Sequence, residues 1–222
     1  MNNKYINEED RKYCYPNSDV LINKLNITDY DELYNAEREI VAYQTLDLLL
    51  NPVKGNFDFD HLKEIHKRLF GNIYEWAGTP RTCIVIKETS FCMPEHIESY
   101  AEEIFSKLKN ERFYLKYDYN NKMLHIANLF ANINALHPFR EGNGRTQREF
   151  IEELSKINGI NLDLSKVSKN NMSNASIESY NGKNEKLLNM FSECSTKLSY
   201  YEKIEYCNLY FLDEENKPIK LL

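Results

Sequence analysis

The segment best equipped for chemistry is His137-Pro138-Phe139-Arg140-Glu141-Gly142-Asn143-Gly144-Arg145-Thr146-Gln147-Arg148. Two glycines flank Asn143, and glycine both takes positive φ and lets a ligand approach the backbone closely. The amides there open the following helix, whose N-terminus carries partial positive charge, so the loop is a ready anion site. Arg145 and Arg148 are three residues apart on that helix and share one face. Two guanidinium groups beside an amide nest suit a polyphosphate better than a single carboxylate. Glu141 would repel such an anion unless a cation lay between them, and Mg²⁺, which prefers one or two carboxylates plus phosphate oxygens, is the expected bridge. His137 precedes the nest. With an ordinary pKa of about 6.5, its imidazole can accept a hydroxyl proton near neutrality. Base, metal carboxylate, anion nest and arginine pair together describe nucleotidyl or phosphoryl transfer to a hydroxyl.

These residues need rigid elements behind them. Asn121 to Leu136 reads as a helix apolar nearly all round, through Met123, Leu124, Ile126, Ala127, Leu129, Phe130, Ile133 and Leu136, and such a helix is buried. It delivers His137 at its end, with Phe139 turned inward as an anchor. The next helix runs from Gly144 to Asn158, with Phe150, Leu154 and Ile157 holding it to the core and Gly159 stopping it. Upstream, Asp31–Leu50 has Leu33, Ala36, Ile40, Tyr43, Leu46 and Leu50 at spacings of three and four. Asp60–Phe70 puts Leu62, Ile65, His66 and Leu69 on one stripe. Arg81–Phe91 is the one convincing strand signal and suggests a short hairpin. Helices follow from Pro94 to Leu108, Lys169 to Tyr180 and Asn184 to Lys197, and a turn closes the chain at Glu215–Pro218. The class is mainly α. His66 and Trp76 read as packing, and His61 and His125 have no assigned role.

Composition narrows the field. The chain has 222 residues, 42% hydrophobic and 28% charged, as in globular proteins. A net charge of −6 disfavours nucleic acid as the main partner, since phosphate binding needs a basic footprint. No run approaches the roughly 20 apolar residues of a membrane span. Met1–Tyr5 is not an apolar secretion signal, so the expected location is cytoplasmic. The five cysteines are odd in number and never spaced Cys-x-x-Cys, against both a disulfide framework and a zinc site.

The twelve-residue string resembles the Fic family signature, His-x-Phe-x-Asp/Glu-Gly-Asn-Gly-Arg-x-x-Arg, at all eight defined positions. The resemblance extends to His61–His66, to Tyr74–Gly78 with Arg81, to Ile86–Phe91 and to Ser179–Leu187, and covers roughly Asp31 to Phe191. The opening, Tyr13–Pro16 with Val20–Leu25, is similar to bacterial Fic toxins and effectors. It implies a helical bundle with a short β-hairpin flap, organised as a lead-in (1–56), a Fic domain (57–195) and a C-terminal extension packed on it (196–222).

The resemblance also implies roles. His137 is the base that deprotonates a Ser, Thr or Tyr of a target protein. Glu141 holds Mg²⁺ against the phosphates of ATP. Gly142, Asn143 and Gly144 form the anion hole, and Arg145 and Arg148 neutralise the β- and γ-phosphates. Lys87, Glu88, Thr89, Ser90 and Phe91 form the flap that adds the target as a β-strand. Lys87, Tyr180 and Asn181 are carried over as nucleotide contacts. The implied activity is transfer of AMP to the target, with self-modification a further outcome. Alternatives are a Fic-fold transferase of UMP, phosphate or phosphocholine, or an inactive interaction module. Gly144 favours AMP, since kinase-type relatives of the Doc toxin carry Lys there. Many Fic proteins also bear an inhibitory helix with Ser/Thr-x-x-x-Glu-Gly/Asn. Here Glu215-Asn216 has Phe211 in the Ser/Thr position, and Thr28/Glu32 and Ser99/Glu103 hold only half the pattern. The expectation is a small separate antitoxin whose glutamate would pair with Arg148; the alternatives are Glu215 serving in a degenerate form, or inhibition by another route.

Overall fold

The computed structural model describes residues 11–85 and 91–210. Among them are eight α-helices: α1 (Tyr30–Leu50), α2 (Phe59–Phe70), α3 (Ile97–Asn110), α4 (Tyr119–Leu136), α5 (Asn143–Ile157), α6 (Lys169–Tyr180), α7 (Glu185–Glu193) and α8 (Tyr200–Tyr210). Two short strands, β1 (Ile160–Leu162) and β2 (Ser195–Lys197), pair antiparallel with Ile160 opposite Lys197. The architecture is mainly α, as the periodicity predicts. Side chains set several helix starts: Asp29, Asp58 and Asp118 each accept a backbone N–H of the first turn of α1, α2 and α4.

Helix α5 is the hub. It packs against α2, α4, α8 and β1, and Phe150, Ile151, Leu154 and Ile157 are fully buried on it. Each such side chain contributes about 1.5–3 kcal/mol on leaving water. Helix α4 buries seven of the eight residues its pattern nominates; Leu124 stays partly exposed. The Gln147 side chain of α5 donates to the Phe130 carbonyl of α4, fixing how the two helices meet beneath the motif loop.

Three readings of the sequence change. On α1 the buried face is Leu33, Glu37, Val41 and Leu48, while Tyr43, Leu46 and Leu50 face outward. The helix is rotated from its apolar stripe because Glu37, a residue the pattern skips, is buried with polar partners. The helix expected over Asn184–Lys197 ends at Glu193, and Ser195–Lys197 form β2. Hydrogen bonds from Asp163 N to the Cys194 carbonyl and from Leu198 N to the Gly159 carbonyl close both ends of that pairing. Lastly, Arg81–Val85 and Phe91–Cys92 make no strand ladder among the described residues. Their backbone groups go elsewhere: Cys92 N–H donates to the Ala135 carbonyl, and the Cys83 and Cys92 carbonyls accept from the Arg81 side chain. Residues 86–90, the centre of the expected flap, lie outside the described residues, as does Glu215. Helix α8, absent from the sequence reading, lies on α5, with the Tyr210 carbonyl accepting from Gly55 N–H.

No helix among the described residues is long and apolar enough to cross a membrane.

Candidate active site

His137 closes α4 in the left-handed conformation (φ 43°, ψ 58°), its N–H still donating to the Ile133 carbonyl. Histidine tolerates this region better than most residues, but the cost is of order 1 kcal/mol. The surroundings impose it. Arg81 Nε donates to the His137 carbonyl at 2.8 Å and Arg81 N–H to the Pro138 carbonyl at 2.7 Å. The Phe91 ring lies flat on the imidazole, with centroids 3.6 Å apart and planes 9° from parallel. His137 is 6% exposed, with the Phe91 ring covering one face of its imidazole.

The loop that follows is tied by Asn143. Its Oδ1 accepts from Phe139 N–H at 2.8 Å and its Nδ2 donates to the Phe139 carbonyl at 2.7 Å, while the Phe139 ring is buried. The Asn143 side chain therefore builds the loop, and only its backbone faces the nest. Gly142 turns the chain at φ 81°, and its carbonyl accepts from Thr146 N–H and the Thr146 hydroxyl, both at 3.1 Å. A Cβ at Gly142 would fall 2.4 Å from the buried Phe70 ring, so the position requires glycine on two counts. Helix α5 has no side-chain cap. Among the described residues nothing accepts from the amides of Asn143 and Gly144. Arg148, half-buried on the same helix, makes no ion pair or hydrogen bond among the described residues. Burial and the charge of Arg145 both push its pKa down. A cation so placed is stabilised by an incoming anion.

Arg145 is engaged differently. Its guanidinium sits 2.7 Å from Glu37 and 3.4 Å from Glu141, over the face of Phe70. Glu37 is 9% exposed and also accepts from the Tyr74 hydroxyl at 2.5 Å. The two arginines of the motif thus divide: Arg148 is open to an anion, and Arg145 bridges the carboxylate of α1 to that of the loop. Glu141 also accepts from Gly142 N–H at 2.8 Å. Its backbone is fixed by His66, whose Nδ1 accepts from Gly78 N–H at 2.8 Å, leaving Nε2 to donate to the Glu141 carbonyl at 3.0 Å. Burial lowers the His66 pKa to about 4, which keeps the ring neutral, and it stacks on Phe139 at 3.8 Å. No group of three or more His, Cys, Asp or Glu among the described residues could cage a metal ion. A single positioned carboxylate fits a hard cation that takes its other ligands from phosphate and water.

A model of the Fic/DOC family matches residues 56–155, from just before α2 to near the end of α5. The probable protein adenylyltransferase y4lH of Sinorhizobium fredii is 37% identical over 171 residues, spanning 76% of this chain and 88% of that protein. The chain belongs to the Fic/DOC family. The protein adenylyltransferase VbhT of Bartonella schoenbuchensis is 36% identical over 203 residues; the match covers 91% of this chain but only 42% of VbhT. Among solved structures, the N-terminal Fic domain of a putative cell filamentation protein from Bartonella quintana, with bound ADP, superposes with a TM-score of 0.79 at 28% identity. That alignment covers 85% of this chain and 96% of the other. The type IV secretion effector BepA superposes with a TM-score of 0.78 at 30% identity, covering 84% and 69%.

Within this Fic/DOC chain, His137, Glu141–Arg145 and Arg148 converge at the meeting of α4 and α5. Tyr180 and Asn181 lie exposed at the end of α6, and among the described residues no hydrogen bond or ring contact joins them to the loop. Lys87, Glu88, Thr89 and Ser90 are outside the described residues; Phe91, expected in the flap, stacks on the His137 imidazole. Reading the sequence alone misses Glu37, Tyr74 and the polar role of His66. The available signal was a glutamate four residues from both Leu33 and Val41 on one helix face.

Proposed function

We propose that the chain transfers AMP from ATP to a hydroxyl of a target protein, itself included. The observation that carries this reading is the cradle at the start of α5. Among the described residues, two backbone amides without an acceptor and a half-buried guanidinium without an ion pair stand beside a buried imidazole. The names and bound nucleotide of the relatives support the same reading. The phosphates of ATP dock on the Asn143 and Gly144 amides and on Arg148. His137 takes the proton from the target hydroxyl as its oxygen attacks the α-phosphorus. The bond from that phosphorus to the bridging oxygen breaks, and pyrophosphate leaves. Fixed N–H dipoles and a guanidinium aimed where charge develops supply most of the acceleration.

Glu141 would hold Mg²⁺, which supplies charge neutralisation between the carboxylate and the phosphates. Arg145, tied to Glu37, orients Glu141 in this reading. The segment Lys87–Phe91 is assigned the docking of the target segment, and Tyr180 and Asn181 the adenosine side. An inhibitory partner bearing a glutamate would compete for Arg148. Five free thiols accord with a reducing cytoplasm.

The test uses ATP labelled at either the α- or the γ-phosphate, with wild type and His137→Ala. The expected result is label on protein from α-labelled ATP only, and none with the variant. Label from the γ-phosphate alone would replace AMP transfer by phosphoryl transfer.

A further inference from the structure

Arg81 is 2% exposed, a buried cation with no carboxylate partner among the described residues, and burial pushes its pKa down. Its planar fork is spent on three backbone carbonyls from three stretches of chain. Nε donates to His137 at 2.8 Å, Nη1 to Cys83 at 2.6 Å, and Nη2 to Cys92. Its own N–H holds the Pro138 carbonyl, and Cys92 N–H holds the Ala135 carbonyl. Burying a charge against neutral dipoles costs several kcal/mol, and a well-packed apolar side chain in its place is often more stable. Three converging carbonyls also repel one another, and a shared cation offsets that repulsion. The arrangement is therefore poorly explained by stability. It is well explained by what it fixes: the left-handed backbone of His137 on one side, and on the other the Phe91–Cys92 step whose ring covers the imidazole.

We propose that Arg81 is a positioning residue for the base, clamping the His137 carbonyl and the Phe91–Cys92 step so that the imidazole has one orientation. The inference rests on His137 being the base of the proposed transfer. The phosphate cradle is secured by different bonds, those of Asn143 to Phe139, Thr146 to Gly142 and His66 to Glu141. Arg81 therefore acts on the transfer step and not on nucleotide affinity. Lysine cannot replace it, since one ammonium on a flexible stem does not reproduce a planar fork to three acceptors.

The experiment takes Arg81→Lys and Arg81→Ala in the full chain. Affinity for a non-hydrolysable ATP analogue is measured by calorimetry, kcat is measured with α-labelled ATP, and the His137 imidazole is followed by NMR in the nucleotide-free protein. The expected result is unchanged affinity with kcat down by about 10²-fold, the cost of a misplaced catalytic group. Millimolar guanidinium, but not methylammonium, partly restores Arg81→Ala. The ring-current shift that Phe91 imposes on His137 is lost in both variants. Wild-type kcat in Arg81→Lys, or affinity falling in step with kcat, overturns the proposal. Should Arg81→Ala not fold, Arg81→Lys and the NMR signal decide alone. If the wild type transfers no AMP, the proposed function fails while the ring-current result still judges the clamp. An unchanged His137 signal in Arg81→Lys refutes the clamp whatever the reaction proves to be.

Discussion

The paired substitutions Gly142→Ala and Gly144→Ala separate the fold of the anion loop from its function. At Gly142 the backbone is left-handed (φ 81°), which costs an alanine about 1–2 kcal/mol. Its Cβ would meet the Phe70 ring at 2.4 Å, and Phe70 is fully buried beneath the loop and has nowhere to go, adding about 1–3 kcal/mol of overpacking. The sum, about 2–5 kcal/mol, corresponds in a chain of this size to a fall in Tm of about 5–15 °C. Gly144 is different. It sits in the first turn of α5 with ordinary backbone angles, and a Cβ there meets only the end of Arg148 at 3.4 Å. Alanine is the better helix former by up to about 1 kcal/mol, so Gly144→Ala should melt at or slightly above the wild-type temperature. Yet its methyl stands on the exposed start of α5, beside the Arg148 guanidinium, and under the proposed function should weaken nucleotide binding. Differential scanning fluorimetry with and without an ATP analogue reads both effects: a low Tm for Gly142→Ala, and a normal Tm with a reduced ligand-induced rise for Gly144→Ala. A wild-type Tm for Gly142→Ala would mean that the Phe70 contact and the left-handed backbone cost nothing, and a full ligand shift for Gly144→Ala would place the phosphates elsewhere.

Other expectations follow from individual contacts. Glu37→Gln should loosen Arg145 and with it Glu141, raising the Mg²⁺ concentration needed for half-maximal transfer by about tenfold, as the loss of outer-sphere support does elsewhere; a metal titration of the rate measures this, and an unchanged requirement would confine Glu37 to folding. His66→Leu should cost about 2–4 kcal/mol in denaturant unfolding, because the Gly78 N–H and the Glu141 carbonyl lose their partner in a buried setting. Glu149 on α5 is pushed up to about 7 by burial, then by the charges of Glu152 and Glu153, against the opposite pull of Lys156 and Arg148 and beside the Tyr210 hydroxyl. The folded state therefore binds this proton more tightly, and the stability it brings is complete below about pH 4.5 and lost as pH rises through about 7. Glu149→Gln should accordingly raise stability at pH 8 by up to about 3 kcal/mol and change little at pH 4.5; equal effects at both would contradict the assignment.

How far the sequence discloses this molecule depends on the kind of interaction. The apolar runs of α4 and α5 could only be buried, and their ends place His137, Glu141 and Arg148 together before any coordinates are seen. The motif supplied the nest because glycine and arginine types at fixed helical spacing are themselves the geometry. Long-range polar pairing was not legible. Glu37 reaches Arg145 from more than a hundred residues away, and its charge disguised the true inner face of α1. His66 looked like a packing residue because a buried neutral imidazole and an apolar side chain leave the same periodicity. Arg81 bonds only to backbone carbonyls, which leave no trace in residue types. Strand β2 was hidden inside a helical pattern, since three residues that pair with β1 carry too little signal against the helix before them.

Where a triphosphate sits decides the reaction. The most direct measurement is a crystal structure with Mg²⁺ and a non-hydrolysable ATP analogue. The predicted density has phosphates on the Asn143 and Gly144 amides and on Arg148, with the α-phosphorus facing His137. An analogue bound in reverse, with its γ-phosphorus toward that imidazole, or bound away from the start of α5, would contradict it.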